Sequence, residues 1–137
     1  MIYVIGIGPG SKELMTMQCI DAIKDAEVIV GYKTYINLIT DFIEGKEVVQ
    51  NGMRQEIERC KEAVEIAKTG KKVAVISSGD AGIYGMAGLI LELTTKEEQN
   101  IEVKIIPGVT ASIGAAAILG APIMHDFCHI SLSDLLT

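Results

Sequence analysis

Apolar residues fall along this chain in two rhythms: short unbroken runs, and longer stretches where they recur every three or four positions. Residues 1–5, 27–30, 47–49 and 73–76 are rich in valine and isoleucine. Such runs suit strands buried on both faces, as in a parallel sheet. Residues 101–106 alternate over their first four positions, which predicts an edge strand. Between these runs the period lengthens. Leu14, Met17, Ile20 and Ile23 predict an amphipathic helix to about Asp25, capped by Ser11 or Thr16, with the methionines filling core. A short helix is expected over 36–43. Ile57, Cys60, Val64 and Ala67 predict the buried stripe of a longer one, stopped by Gly70. Residues 85–93 are apolar nearly all round, which predicts a well-buried helix. Residues 112–119 form an alanine-rich helix with Thr110 placed as its cap. Strands alternating with helices predict an α/β fold: an open, mainly parallel five-stranded sheet with helices on both faces.

Three of the predicted strand ends carry small-residue loops. These are Gly6-Ile7-Gly8-Pro9-Gly10, Ser78-Gly79-Asp80-Ala81-Gly82-Ile83 and Pro107-Gly108-Val109-Thr110-Ala111. In a parallel sheet all three lie along one carboxyl edge, where ligands of open α/β sheets bind. One such loop is common, but three on one edge predict a single cleft. Asp80 is the one carboxylate among these glycines. It is placed either to accept hydrogen bonds from a ligand amine or ribose diol, or to cap the following helix. Half of the chain's four tyrosines, Tyr32 and Tyr35, fall with Lys33 just after the second strand, which also suggests a ligand-facing loop.

The first loop is not a dinucleotide fingerprint. Position 11 is Ser11 where GxGxxG needs glycine, and the second strand ends in Gly31-Tyr32-Lys33 without an acidic residue for a ribose. No GK[ST] follows, which excludes a P-loop. A hydride-transferring dinucleotide enzyme is thus disfavoured.

Length and composition narrow the field further. The chain has 137 residues, about one domain, and 49% are apolar. No apolar run reaches the ~18 residues of a membrane span, and the first residues lack the basic start of a signal peptide. A cytoplasmic protein with no membrane partner is expected. The formal net charge of −6 and scattered basic residues speak against a nucleic-acid partner. Cys19, Cys60 and Cys128 form no CxxC, so each reads as a small apolar side chain in reducing surroundings. His125 and His129 are four apart, but Pro122 and the alternation after Cys128 favour extended chain, and no metal site is expected.

The three loop motifs, in this order and followed by Gly120-Ala121-Pro122, resemble those of the tetrapyrrole (corrin and porphyrin) methylases. Within that family, Gly31-Tyr32-Lys33-Thr34-Tyr35, Gly52-Met53-Arg54-Gln55-Glu56 and His125-Asp126-Phe127 look most like the branch that methylates C(17) of an early corrin precursor and contracts its ring. The resemblance implies S-adenosylmethionine as cofactor, held in a cleft between two domains. It implies cofactor contacts from Pro9, Ser78, Gly79, Asp80, Ile83, Thr110 and Ala111, and a substrate loop at Gly8, Pro9 and Gly10. Residues 1–121 correspond to the first domain, and 122–137 to the start of a linker or first strand of a second domain on which activity depends. The substrate would be an acidic cobalt-corrin precursor, with Tyr32, Lys33 and Arg54 as candidate catalytic or substrate-facing residues. Some relatives carry a catalytic aspartate where this chain has Tyr32, so that role does not transfer. The apolar Leu135 and Leu136 predict burial against a further element, and a homodimer is the expected assembly.

Overall fold

The computed structural model describes residues 1–132. Five strands form one all-parallel sheet: β1 (Ile2–Gly6), β2 (Val28–Tyr32), β3 (Glu47–Asn51), β4 (Val73–Ser77) and β5 (Val103–Ile106), in the order β3-β2-β4-β1-β5. The helices are α1 (Met17–Asp25), α2 (Lys33–Asn37), α3 (Glu56–Lys68), α4 (Ala87–Thr95) and α5 (Ala111–Leu119). The expected fold class is the one observed.

The core lies in two sheets of side chains, sorted by the two-residue alternation of the strands. Ile2, Val4, Val28, Val30, Val73 and Val75 meet Cys60, Ala63, Val64 and Ala67 of α3 and Ala87 and Ile90 of α4. On the other face Tyr3, Ile5, Ile29, Ala74 and Ile76 meet Cys19, Ala22 and Ile23 of α1, then Ile36 of α2. The central strands are sealed on both sides, and each fully buried Val or Ile contributes about 1.5–3 kcal/mol. β5 lies at one edge, as its alternation predicts, and the mostly exposed β3 at the other.

Several elements differ from expectation, each for a local reason. Leu14 sits in a separate 3-10 turn, because Thr16 takes the N-cap of α1 and its hydroxyl accepts from Cys19 N at 3.0 Å. The buried side of α1 is therefore Cys19, Ala22 and Ile23, and Met17 is exposed rather than core-filling. Residues 36–43 are not one helix: α2 ends at Asn37 and a 3-10 turn covers Thr40–Phe42. Gly31 and Tyr32 remain in β2, and Lys33 already begins α2, so the tyrosine-bearing stretch is a strand-to-helix junction rather than a loop. On α3, Ile57 is exposed while Arg59 is buried; the inward face runs through Arg59, Cys60, Ala63, Val64 and Ala67. α4 buries Ala87 and Ile90 but leaves Leu91 exposed. Cys128 is exposed, unlike Cys19 and Cys60, whose thiols burial pushes up to about 11. Leu135 and Leu136 lie outside the described residues. Among the described residues no helix is long and apolar enough to cross a membrane.

Candidate functional site

The three glycine-bearing loops meet at the carboxyl edge of the sheet. β1 and β4 are neighbours, so the loops that follow them start side by side. They then exchange a pair of backbone hydrogen bonds: Gly8 N donates to Gly79 O at 3.0 Å, and Gly79 N to Gly8 O at 2.9 Å. Gly79 holds a φ of +65°, which its missing Cβ makes inexpensive. Its α-carbon faces the third loop, where an added Cβ would lie 3.5 Å from the Thr110 Cα. Gly108 approaches more tightly still. A Cβ there would sit 2.2 Å from Gly79 O and 2.6 Å from Gly6 O. α5 closes the ring, since a Cβ on its buried Gly114 would fall 3.1 Å from the Pro9 ring.

Asp80 binds this arrangement together. Its Oδ1 accepts from Gly108 N at 2.8 Å, across to the third loop. Its Oδ2 accepts from Gly82 N at 2.8 Å and Ile83 N at 3.2 Å, within its own loop. Burial alone would raise its pKa, but the amides of Gly108, Gly82, Ile83 and Ala81 outweigh that and hold the carboxyl below its usual value. α4 does not start until Ala87, and Met86 N bonds to Ser77 Oγ at 3.3 Å, so Asp80 is not the cap of that helix. Both of its oxygens are committed to backbone amides, which makes it a clamp between loops.

Beside this rim lies an open cavity of about 430 Å3 lined by Ile83, Tyr84, Thr110, Ser112, Phe127 and His129. Its walls combine three rings, an aliphatic side chain and two small hydroxyls. The Ser112 hydroxyl is buried with no partner among the described residues. Tyr84 takes a left-handed backbone (φ +53°) and accepts from Ser131 N while donating to His129 O, both at 3.0 Å. Strain of this kind persists where the surroundings fix it, and such positions cluster at binding sites. A second cavity of about 230 Å3 lies between the ends of β2 and β4, with Tyr32, Tyr35, Ser77, Ser78 and Arg59 in its lining.

A family model for the tetrapyrrole (corrin/porphyrin) methylases matches residues 1–137. The chain belongs to this family. A probable cobalt-factor III C(17)-methyltransferase of Salmonella typhimurium is 63% identical over 137 residues, which make up all of this chain and 57% of that protein. The crystal structure of the methyltransferase CobJ matches with a TM-score of 0.89 at 40% identity, covering 99% of this chain and 57% of that one. The uroporphyrin-III C-methyl transferase of Thermus thermophilus complexed with S-adenyl homocysteine matches with a TM-score of 0.68 at 25% identity, over 91% of this chain and 53% of that one. This methylase chain thus spans little more than half the length of these relatives.

The residues singled out from the sequence fall into three groups in the methylase fold. Gly8, Pro9, Gly79, Asp80, Thr110 and Ala111 meet in the rim, and Ile83 and Thr110 reach the larger cavity. Ser78 and Tyr32 line the smaller one. Lys33 and Arg54 are exposed and line neither cavity, and Gly10 is exposed with open space around it. Sequence reasoning missed Ser112, Tyr84 and Arg59. For Arg59 the signal was present: it shares a helix face with Cys60, Ala63 and Ala67, at spacings of one, four and eight.

Proposed function

We propose that this chain is the donor-holding part of an S-adenosylmethionine-dependent C-methyltransferase. Its substrate is the cobalt-corrin precursor cobalt-factor III, or its metal-free counterpart precorrin-3B, methylated at C(17) with ring contraction in cobalamin biosynthesis. The observation that carries this reading is the three-loop rim beside a cavity with an unpartnered Ser112 hydroxyl, in a chain 63% identical to the Salmonella typhimurium protein.

The residues fit an adenosyl group. Ile83 and Phe127 offer apolar faces for a planar base, and Thr110 and Ser112 offer hydroxyls for its sugar. When bound, S-adenosylmethionine supplies an electrophilic methyl on a sulfonium that leaves readily. The task left to the protein is alignment, which can supply up to about 7–11 kcal/mol of a two-reactant barrier. The backbone of the rim does this by rigidity: paired glycines and the Asp80 clamp leave the loops no alternative packing. No nucleophilic side chain is required of this chain.

The test joins this chain to the carboxy-terminal remainder of the Salmonella typhimurium relative and follows label from methyl-labelled S-adenosylmethionine. Label appearing in cobalt-factor III is the expected result. Label in uroporphyrinogen III instead would move the enzyme to another substrate, and no label in either overturns the reading.

The assembly proposed with it is a homodimer, supported by the exposed apolar side chains of Ile118, Leu119 and Met124. Sedimentation that stays monomeric at every concentration tried overturns the dimer.

A further inference from the structure

Among the described residues Arg59 is the one charged side chain that the core encloses, only 2% exposed. Its place is unusual in three respects. First, it is the fourth residue of α3, near the positive end of the helix dipole, where Glu56 and Glu58 are favoured and a cation is not. Second, of its five N–H donors, Nη2 bonds to Gly52 O at 2.9 Å, while Nε is buried and has no partner. Third, no described carboxylate makes an ion pair with it. A buried charge left uncompensated is costly, and it persists where a ligand completes it.

Arg59 lines the cavity of about 230 Å3, together with Tyr32, Tyr35, Ser77 and Ser78. That cavity sits at a crevice the topology creates. β2 and β4 are hydrogen-bonded neighbours, yet the chain leaves β2 into α2 on one face of the sheet and leaves β4 toward α4 on the other. Such divergence opens the sheet edge for a ligand. The space of about 230 Å3 admits a carboxylate on a short alkyl arm, and the buried guanidinium gives that carboxylate its partner. The exposed Glu56 also lines it, so an incoming anion must be held by the guanidinium against that like charge.

We propose that Arg59 is the receptor for a carboxylate of the substrate, gripped by charge-assisted hydrogen bonds in the β2–β4 crevice, next to the cavity assigned to the adenosyl group, with which it shares Tyr84. The identity of the carboxylate's owner as an acidic macrocycle rests on the function proposed above; the anion site itself does not. It replaces the exposed Lys33 and Arg54 as the cation that positions substrate.

The chain has two arginines, so its arginine Nε–H spectrum holds two signals, and Arg54 is an internal control. The protein is titrated with sodium propionate, with propionamide, and with sodium chloride at matched ionic strength. A saturable shift of the Arg59 signal with propionate alone is expected, with Arg54 unmoved. Replacing Arg59→Lys keeps the charge but loses the fork, and backbone-amide shifts around the crevice should then report about tenfold weaker binding. The wild-type titration is decisive even where that variant fails to fold. An unmoved Arg59, or an equal shift with chloride or propionamide, overturns the proposal. Repeating the titration under saturating S-adenosylhomocysteine separates two sources of carboxylate. A persisting response assigns the site to the substrate, whereas its loss assigns it to the methionine part of the cofactor and overturns the assignment. Failure of S-adenosylhomocysteine to bind at all, with the propionate response intact, defeats the enzyme reading and leaves the anion site standing.

Discussion

A single carboxylate holds two loops of this protein together, and its chemistry sets a stability test. Asp80 accepts from Gly108, Gly82 and Ile83, so replacing it removes the acceptor from three loop amides. Asp80→Asn keeps the shape but turns one oxygen into a donor. A loss of about 1–3 kcal/mol is expected, read from denaturant unfolding. The pH dependence has a definite sign. The folded pKa of Asp80 lies below its unfolded value of 3.8, so its stabilisation is present above that pH and is lost as pH falls through the folded pKa. The gap between wild type and Asp80→Asn should narrow below about pH 3.9 and stay constant above pH 5. A gap that widens on acidification contradicts the clamp. None of this was legible from the local sequence, which offered a ligand acceptor or a helix cap. The partner that decides the matter, Gly108, is 28 residues away.

At the scale of elements, the strands were far more legible than the helices. Runs such as Val73-Ala74-Val75-Ile76 have no polar face, so only a doubly covered parallel strand accommodates them. The glycine-rich strand ends likewise announced the rim, because close backbone approach leaves no room for a side chain. Gly108 is the sharpest case: Gly108→Ala drives a Cβ into the Gly79 and Gly6 carbonyls. Backbone cannot step aside as a flexible side chain would, so a loss of about 3 kcal/mol in unfolding free energy is expected. Gly88→Ala on α4, where an added Cβ meets nothing within 4 Å, is the matched control and should be neutral or stabilising. Equal effects of the two would show that the loops are not packed as described. Helix phase was harder to read. In α3 the hydrophobic Ile57 faces water and the charged Arg59 faces the core, reversing what transfer energies favour. In α1 the Thr16 cap cut Leu14 out of a helix its spacing alone would have placed it in.

At the scale of the molecule, the parallel sheet brings β1, β4 and β5 to one edge, and the crossovers send α3 and α4 to one face, α1 and α2 to the other. The strand order could not be read from the sequence, since any of the inner runs is apolar enough for a central place. The two cavities share Tyr84 in their linings, the larger lying beside the rim and the smaller by the ends of β2 and β4. The account rests on the rim being the seat of the adenosyl group. Backbone amide spectra recorded while S-adenosylhomocysteine is added test this most directly. The account predicts saturable shifts centred on Gly79, Ile83, Gly108, Thr110 and Ser112, with the amides of α3 beyond Cys60 unchanged. Saturable shifts confined to another part of the surface, or none at any concentration, would contradict it.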